Sequence, residues 1–172
     1  ASSTAVETLA QHLGEATGCF YHFDIDEEHA FLEQLKAGVE RAHQQVLRQF
    51  GAGERGPAST LTMVALVWPR AYIVQVGDSR AYYLREGRLR QLTRDQTAYE
   101  EVLDDGVLTA EQFERSDLKG QLRNTLLSAI GTQIEPVVGL VDLQAGDVLL
   151  LCTDGLNKHV PEVQMMVEAT GG

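Results

Sequence analysis

The chain has 172 residues, 44% of them apolar and 23% charged, which suits one buried core and predicts a single domain over residues 1–172. Twenty-five Asp and Glu against 14 Lys and Arg give a formal charge of -11, the wrong sign for binding phosphate backbones, so no nucleic-acid partner is expected. The longest apolar run, residues 63–68, falls far short of the roughly 18–20 residues a membrane span needs, so none is expected. Cys19 and Cys152 show no CxxC or Cys-His spacing, and two lone thiols fit a reducing, cytoplasmic setting. The chain begins at Ala1 with no basic start and apolar middle, and reads as a cut rather than as a targeting signal.

Val6, Leu9, Ala10 and Leu13 recur at helical spacing, and Thr4 with Glu7 fits a capping box, predicting a helix over 4–14 that stops at Gly14. A longer apolar stripe runs through Phe31, Leu35, Val39, Ala42, Val46 and Phe50, with Asp26 as the expected N-cap and Gly51 as the stop. The period then changes to two. Residues 60–68, 71–76, 81–84 and 89–92 read as an antiparallel meander divided at Pro69-Arg70, Gly77-Asp78 and Glu86-Gly87. Residues 97–121 are acidic and loosely helical, which predicts an exposed, mobile excursion. Residues 137–143 and 148–152 flank a Gln-Ala-Gly-Asp turn and are expected to form a hairpin, after which residues 164–172 run out without a finished element. Helices segregated from antiparallel strands make the fold class α+β.

GAGERG (Gly51, Gly53, Gly56) matches a dinucleotide-binding pattern literally, but follows a helix and precedes a strand, the reverse of what that site requires, so it reads as a connecting loop. The five histidines, His12, His22, His29, His43 and His159, lack ligand spacing and read as solvated or packed side chains. Asp24 and Asp26 could grip a hard cation, although capping by Asp26 is the stronger reading. Asp78 in YIVQVGDSR and Asp154 in VLLLCTDGL share another setting: an apolar strand delivers each to its mouth, with Gly alongside. A carboxylate held there by a sheet suits a hard divalent ion, while an Asp beside Gly also commonly does no more than form a turn.

Several ordered motifs together resemble the bacterial form of the metal-dependent type 2C protein serine/threonine phosphatases. VGDSRAYYLREGRLRQLTRDQT, residues 76–97, resembles the family's GDSR strand pair and its following LTxDHS segment. GDVLLLCTDGL, residues 146–156, is similar to its TDG strand; RNTLLSAIG and STLTMVALV stand where related stretches occur. The resemblance implies a β-sandwich of antiparallel sheets flanked by helices, and hydrolysis of phosphoserine and phosphothreonine by water activated on a pair of Mg²⁺ or Mn²⁺ ions.

By the same resemblance Asp154 matches a metal ligand and Asp78 a carboxylate that helps hold a further ion, while Ser79, Arg80, Thr93 and Asp95 match structural positions. Residues 97–121 fall where the family carries a flap beside the active site, and the implied partners are a phosphoprotein substrate and a Ser/Thr kinase that shares targets with it. The family's phosphate-binding Arg strand, its DGxGG motif and its final DN motif do not occur in these residues. The chain is therefore expected to be the central and C-terminal part of a catalytic domain, incomplete and nearly inactive alone. The alternative is a catalytically dead pseudophosphatase serving as a regulatory or binding module.

Overall fold

The computed structural model describes residues 1–16, 25–51, 56–117 and 119–169. Helix α1 (Ser2–Ala16) packs along α2 (Ile25–Phe50); of the expected stripes Phe31, Leu35, Val39, Ala42, Val46 and Leu9 are buried, together with Ala5, while Phe50 at the end of α2 and Val6 on α1 are exposed. Gly38 permits the close crossing: a Cβ there would lie 2.7 Å from Leu9 Cδ1 and 2.8 Å from the His12 ring. Gly51 ends α2 as expected, at φ +85° with its N–H on the Leu47 carbonyl at 2.8 Å.

The predicted helix starts differ. Thr4 lies inside α1, where its hydroxyl meets Gln49 Oε1 at 2.9 Å, and Gly14 is helical rather than terminal. Asp26 falls inside the first turn of α2 instead of before it. Packing against α2 carries α1 past both local signals. Cys19, Asp24 and the interior of the GAGERG loop lie outside the described residues.

The strands among the described residues follow: β1 (Leu61–Val67), β2 (Arg70–Val76), β3 (Arg80–Arg85), β4 (Arg88–Gln91), β5 (Val137–Asp142) and β6 (Val148–Cys152). They form two antiparallel three-stranded sheets, ordered β1-β2-β5 and β4-β3-β6. Tyr72, Val74 and Val76 face the helices, and Ala71, Ile73 and Gln75 on the opposite face of β2 are equally buried, so this strand is covered on both sides.

Two expectations are overturned by this topology. The four strands are not one meander, because β2 and β3 pair with other strands and the Gly77–Ser79 corner carries the chain between sheets. Nor do β5 and β6 form a hairpin: β5 pairs with β2 and β6 with β3, so each sheet takes one strand of this last pair. Among the described residues only β1-β2 and β3-β4 are hairpins. The second turns at Glu86-Gly87, where both residues have positive φ, as a two-residue loop joining twisted strands requires.

The acidic excursion takes in α3 (Ala98–Asp104), α4 (Ala110–Glu114) and the start of α5 (Lys119–Asn124). Glu101, Asp104 and Asp105 are exposed as expected, but Phe113 is fully buried. Its ring packs 4.4 Å from that of Tyr99, with the Arg123 guanidinium 5.0 Å from the Tyr99 ring. The segment thus has a small core of its own. Thr109 caps α4 through a capping box with Gln112. After β6 come α6 (Asp154–Asn157) and a finished helix, α7 (Glu162–Ala169), where none was expected; Met165 buries itself from α7. Among the described residues no helix is long and apolar enough to cross a membrane.

Candidate functional site

The register of the second sheet determines where the two singled-out aspartates meet. In the antiparallel β3-β6 pair Arg80 lies opposite Cys152. Asp78 is two residues before Arg80 and Asp154 two residues after Cys152, so continuing the register places them across from each other at one end of the sheet. Both line a cavity of about 350 Å³ that Arg80, Asp95, Arg123 and Asn157 also line, and a neighbouring one of about 320 Å³ with Thr60, Asn124 and Thr153.

The corner bearing Asp78 is held from several directions. Gly77 sits at φ +101°, and a Cβ there would come within 2.5 Å of Thr60 Cγ2, so this position needs both the left-handed backbone and the missing side chain. The Gly77 N–H donates to Gln96 Oε1 at 2.6 Å, and buried Gln75 donates through Nε2 to the Gly77 carbonyl at 3.1 Å. Thr60 and Ser79 share a 2.8 Å hydroxyl contact, while Thr62 donates to the Ser79 carbonyl at 2.8 Å. Arg80 forks onto both oxygens of Asp95 at 2.7 Å each, and the Thr93 hydroxyl accepts from the Ala81 N–H at 3.0 Å.

The electrostatics of the two carboxylates differ. Partial burial, followed by the charge of Asp154 and then that of Asp95, raises the Asp78 pKa above the ordinary carboxylate value. Asp154 is held below its ordinary value, chiefly by Lys158, whose Nζ donates at 2.8 Å to Oδ2. The same ammonium donates at 3.0 Å to Asn124 Oδ1 on α5. Asn157 Nδ2, at the cavity wall, is buried without a protein partner.

Opposed carboxylates with hydroxyl and amide oxygens around them are the hard donors that Mg²⁺ or Mn²⁺ takes, and their mutual repulsion is what a cation relieves, so the residues fit part of a metal shell. Among the described residues no group of three or more His, Cys, Asp and Glu side chains is arranged to close one.

His12 and His43 are buried and engaged, Nε2 of His12 with the Gln34 carbonyl at 3.2 Å and Nδ1 of His43 with the Gly131 N–H at 3.2 Å, while His29 and His159 are exposed. His22 lies outside the described residues. Sequence reasoning missed Gln75 and Gln96, which clamp the corner, and Asn124, Asn157 and Lys158, which line the mouth. Lys158 alone left a signal, four residues after Asp154 at the start of a helix.

The family model described as protein phosphatase 2C matches residues 1–170. A Mycobacterium tuberculosis protein named serine/threonine protein phosphatase PstP is 32% identical over 144 residues, covering 82% of this chain; the chain spans 27% of that relative's length. The solved PPM Ser-Thr phosphatase MsPP of Mycobacterium smegmatis, in complex with cacodylate, superposes with a TM-score of 0.76 at 29% identity, over 99% of this chain and 68% of its own. A catalytic domain of a phosphatase named PstP, solved with two manganese ions, gives a TM-score of 0.67 at 26% identity, over 98% of this chain and 72% of its own.

Proposed function

The chain belongs to the protein phosphatase 2C family, and from that premise we propose that the protein hydrolyses phosphoserine and phosphothreonine on protein substrates, acting in the cytoplasm on targets of a Ser/Thr kinase. The observation that carries this reading is the meeting of Asp78 and Asp154 at a cavity that also holds donors for an anion. In the proposal these two aspartates hold divalent metal, Mn²⁺ or Mg²⁺, which when bound supplies a Lewis acid and a water of lowered pKa. The manganese in a solved relative supports the choice of metal class.

The chain's own groups divide the remaining work. Arg123 brings a cation from α5 to the cavity wall, and Asn157 brings an amide donor that lacks a protein acceptor; both suit the oxygens of a phosphoryl group. The Arg80–Asp95 fork fixes the strand end on which Asp78 is carried, so the carboxylate need not reorganise when substrate arrives. The insert at 97–121 acts in this reading as the flap beside the site. The two metal-facing carboxylates among the described residues are too few for a two-ion centre, so these 172 residues alone are expected to turn over substrate weakly at best.

The test is phosphate release from a phosphothreonine peptide in Mn²⁺ by the protein as its gene encodes it. Asp154→Ala should lower the rate by at least about a hundredfold, in line with losing a group that holds the catalytic metal. No release by the unaltered protein, or an Asp154→Ala variant of full activity, would count against the proposal.

A further inference from the structure

Lys158 is the one side chain that bonds to the Asp154 carboxylate among the described residues, and it lines the same cavity as Asp154 and Asp78. Its second bond, to Asn124 Oδ1, ties α6 to α5 at the end of the acidic insert. At Asp78 the fields of Asp154 and Asp95 are opposed by that of Lys158. The ammonium therefore stands where a divalent ion would draw on the same oxygen.

We propose that Lys158 is a tethered counter-ion that competes with metal at Asp154, setting the affinity of the site and linking its occupancy to the anchoring of α5. This rests on the metal reading of Asp78 and Asp154. With metal at Asp154, Lys158 would give up its bond to that carboxylate and be left with Asn124 Oδ1 as its remaining partner. No proton need be exchanged, because an ammonium and a hydrated ion swap one carboxylate oxygen. The side chains are 42% and 49% exposed, so the competition is modest: exposed pairs of this kind are worth no more than about a fivefold change in an equilibrium.

Titration of the protein as its gene encodes it with Mn²⁺ by calorimetry, paired with thermal unfolding with and without Mn²⁺, tests the proposal. Lys158→Met should bind Mn²⁺ about threefold to fivefold more tightly, while Lys158→Arg, which keeps the charge, stays within about twofold of the unaltered chain. The melting temperature of Lys158→Met should fall in metal-free buffer and recover with Mn²⁺. Unchanged or weaker Mn²⁺ binding by Lys158→Met would overturn the proposal, as would an equal loss of melting temperature with and without metal, the mark of a purely structural pair. Asp154→Asn separates the two levels. If it abolishes Mn²⁺ binding while Lys158→Met matches the unaltered chain, the counter-ion role alone fails; if it leaves binding intact, or the unaltered chain binds no Mn²⁺, the metal reading fails with it.

Discussion

A carboxylate whose pKa is raised by burial and by like charges works against the fold at neutral pH, and Asp78 is in that position. Its folded form binds a proton more readily than its unfolded form. Its contribution is therefore favourable at low pH, diminishes as pH rises through the carboxylate range, and is unfavourable near pH 7. Asp78→Asn should raise the melting temperature of the metal-free chain at pH 7, with solvent screening holding the gain below about 1 kcal/mol, or about 3 °C for a chain of this size. The gain should shrink as pH falls through the folded-state pKa. Thermal scans at pH 7 and at pH 4 check this, and a variant less stable at pH 7 would contradict it. Asp147 has the opposite sign: the Arg85 fork, at 2.9 and 2.6 Å, depresses its pKa and stabilises the fold until pH drops below the ordinary carboxylate range. The sequence made Asp78 and Asp154 visible because each follows an apolar strand beside Gly. It could not make Gln75 or Gln96 visible, because an amide that clamps a corner looks like any polar residue until the backbone groups it serves are in place.

At the scale of elements, helices with a long apolar stripe and strands of period two were legible, but the partners of those strands were not. A Gly-Asp turn between two β runs is the same signal for a hairpin and for a corner between sheets. What separates the cases is non-local, namely the arrival of β5 beside β2 and of β6 beside β3 more than 60 residues later. The small core of the acidic insert was not legible for a related reason. Charge dominates its composition, while the organising contact is a single aromatic residue, Phe113, against Tyr99 and Arg123. Phe113→Ala should remove that small core at a local cost of about 3 kcal/mol. Hydrogen exchange should then show faster exchange over residues 98–124 with the strands of both sheets still protected. Loss of protection in β2 and β3 as well would show that the insert and the sandwich unfold as one unit.

For the whole molecule, the two sheets explain why the candidate site has a fixed place. Asp78 leaves the first sheet at its corner into the second, and Asp154 leaves the second sheet at the end of β6, so one antiparallel register, Arg80 opposite Cys152, brings both carboxylates to the same edge. Helix α5 then brings Arg123 and Asn124 to that end, supplying cationic and amide groups to a mouth whose strands supply acid. The chain carries a formal charge of -11, so binding of a cation by itself would say little; it must bind here rather than among the carboxylates of Glu100 to Asp105. Paramagnetic broadening by substoichiometric Mn²⁺ in an amide-resolved NMR spectrum distinguishes the two. The strongest loss of signal should fall on residues 77–80 and 153–156 and disappear in Asp154→Asn, whereas broadening centred on residues 100–105, or unchanged by that substitution, would contradict a metal site built from Asp78 and Asp154.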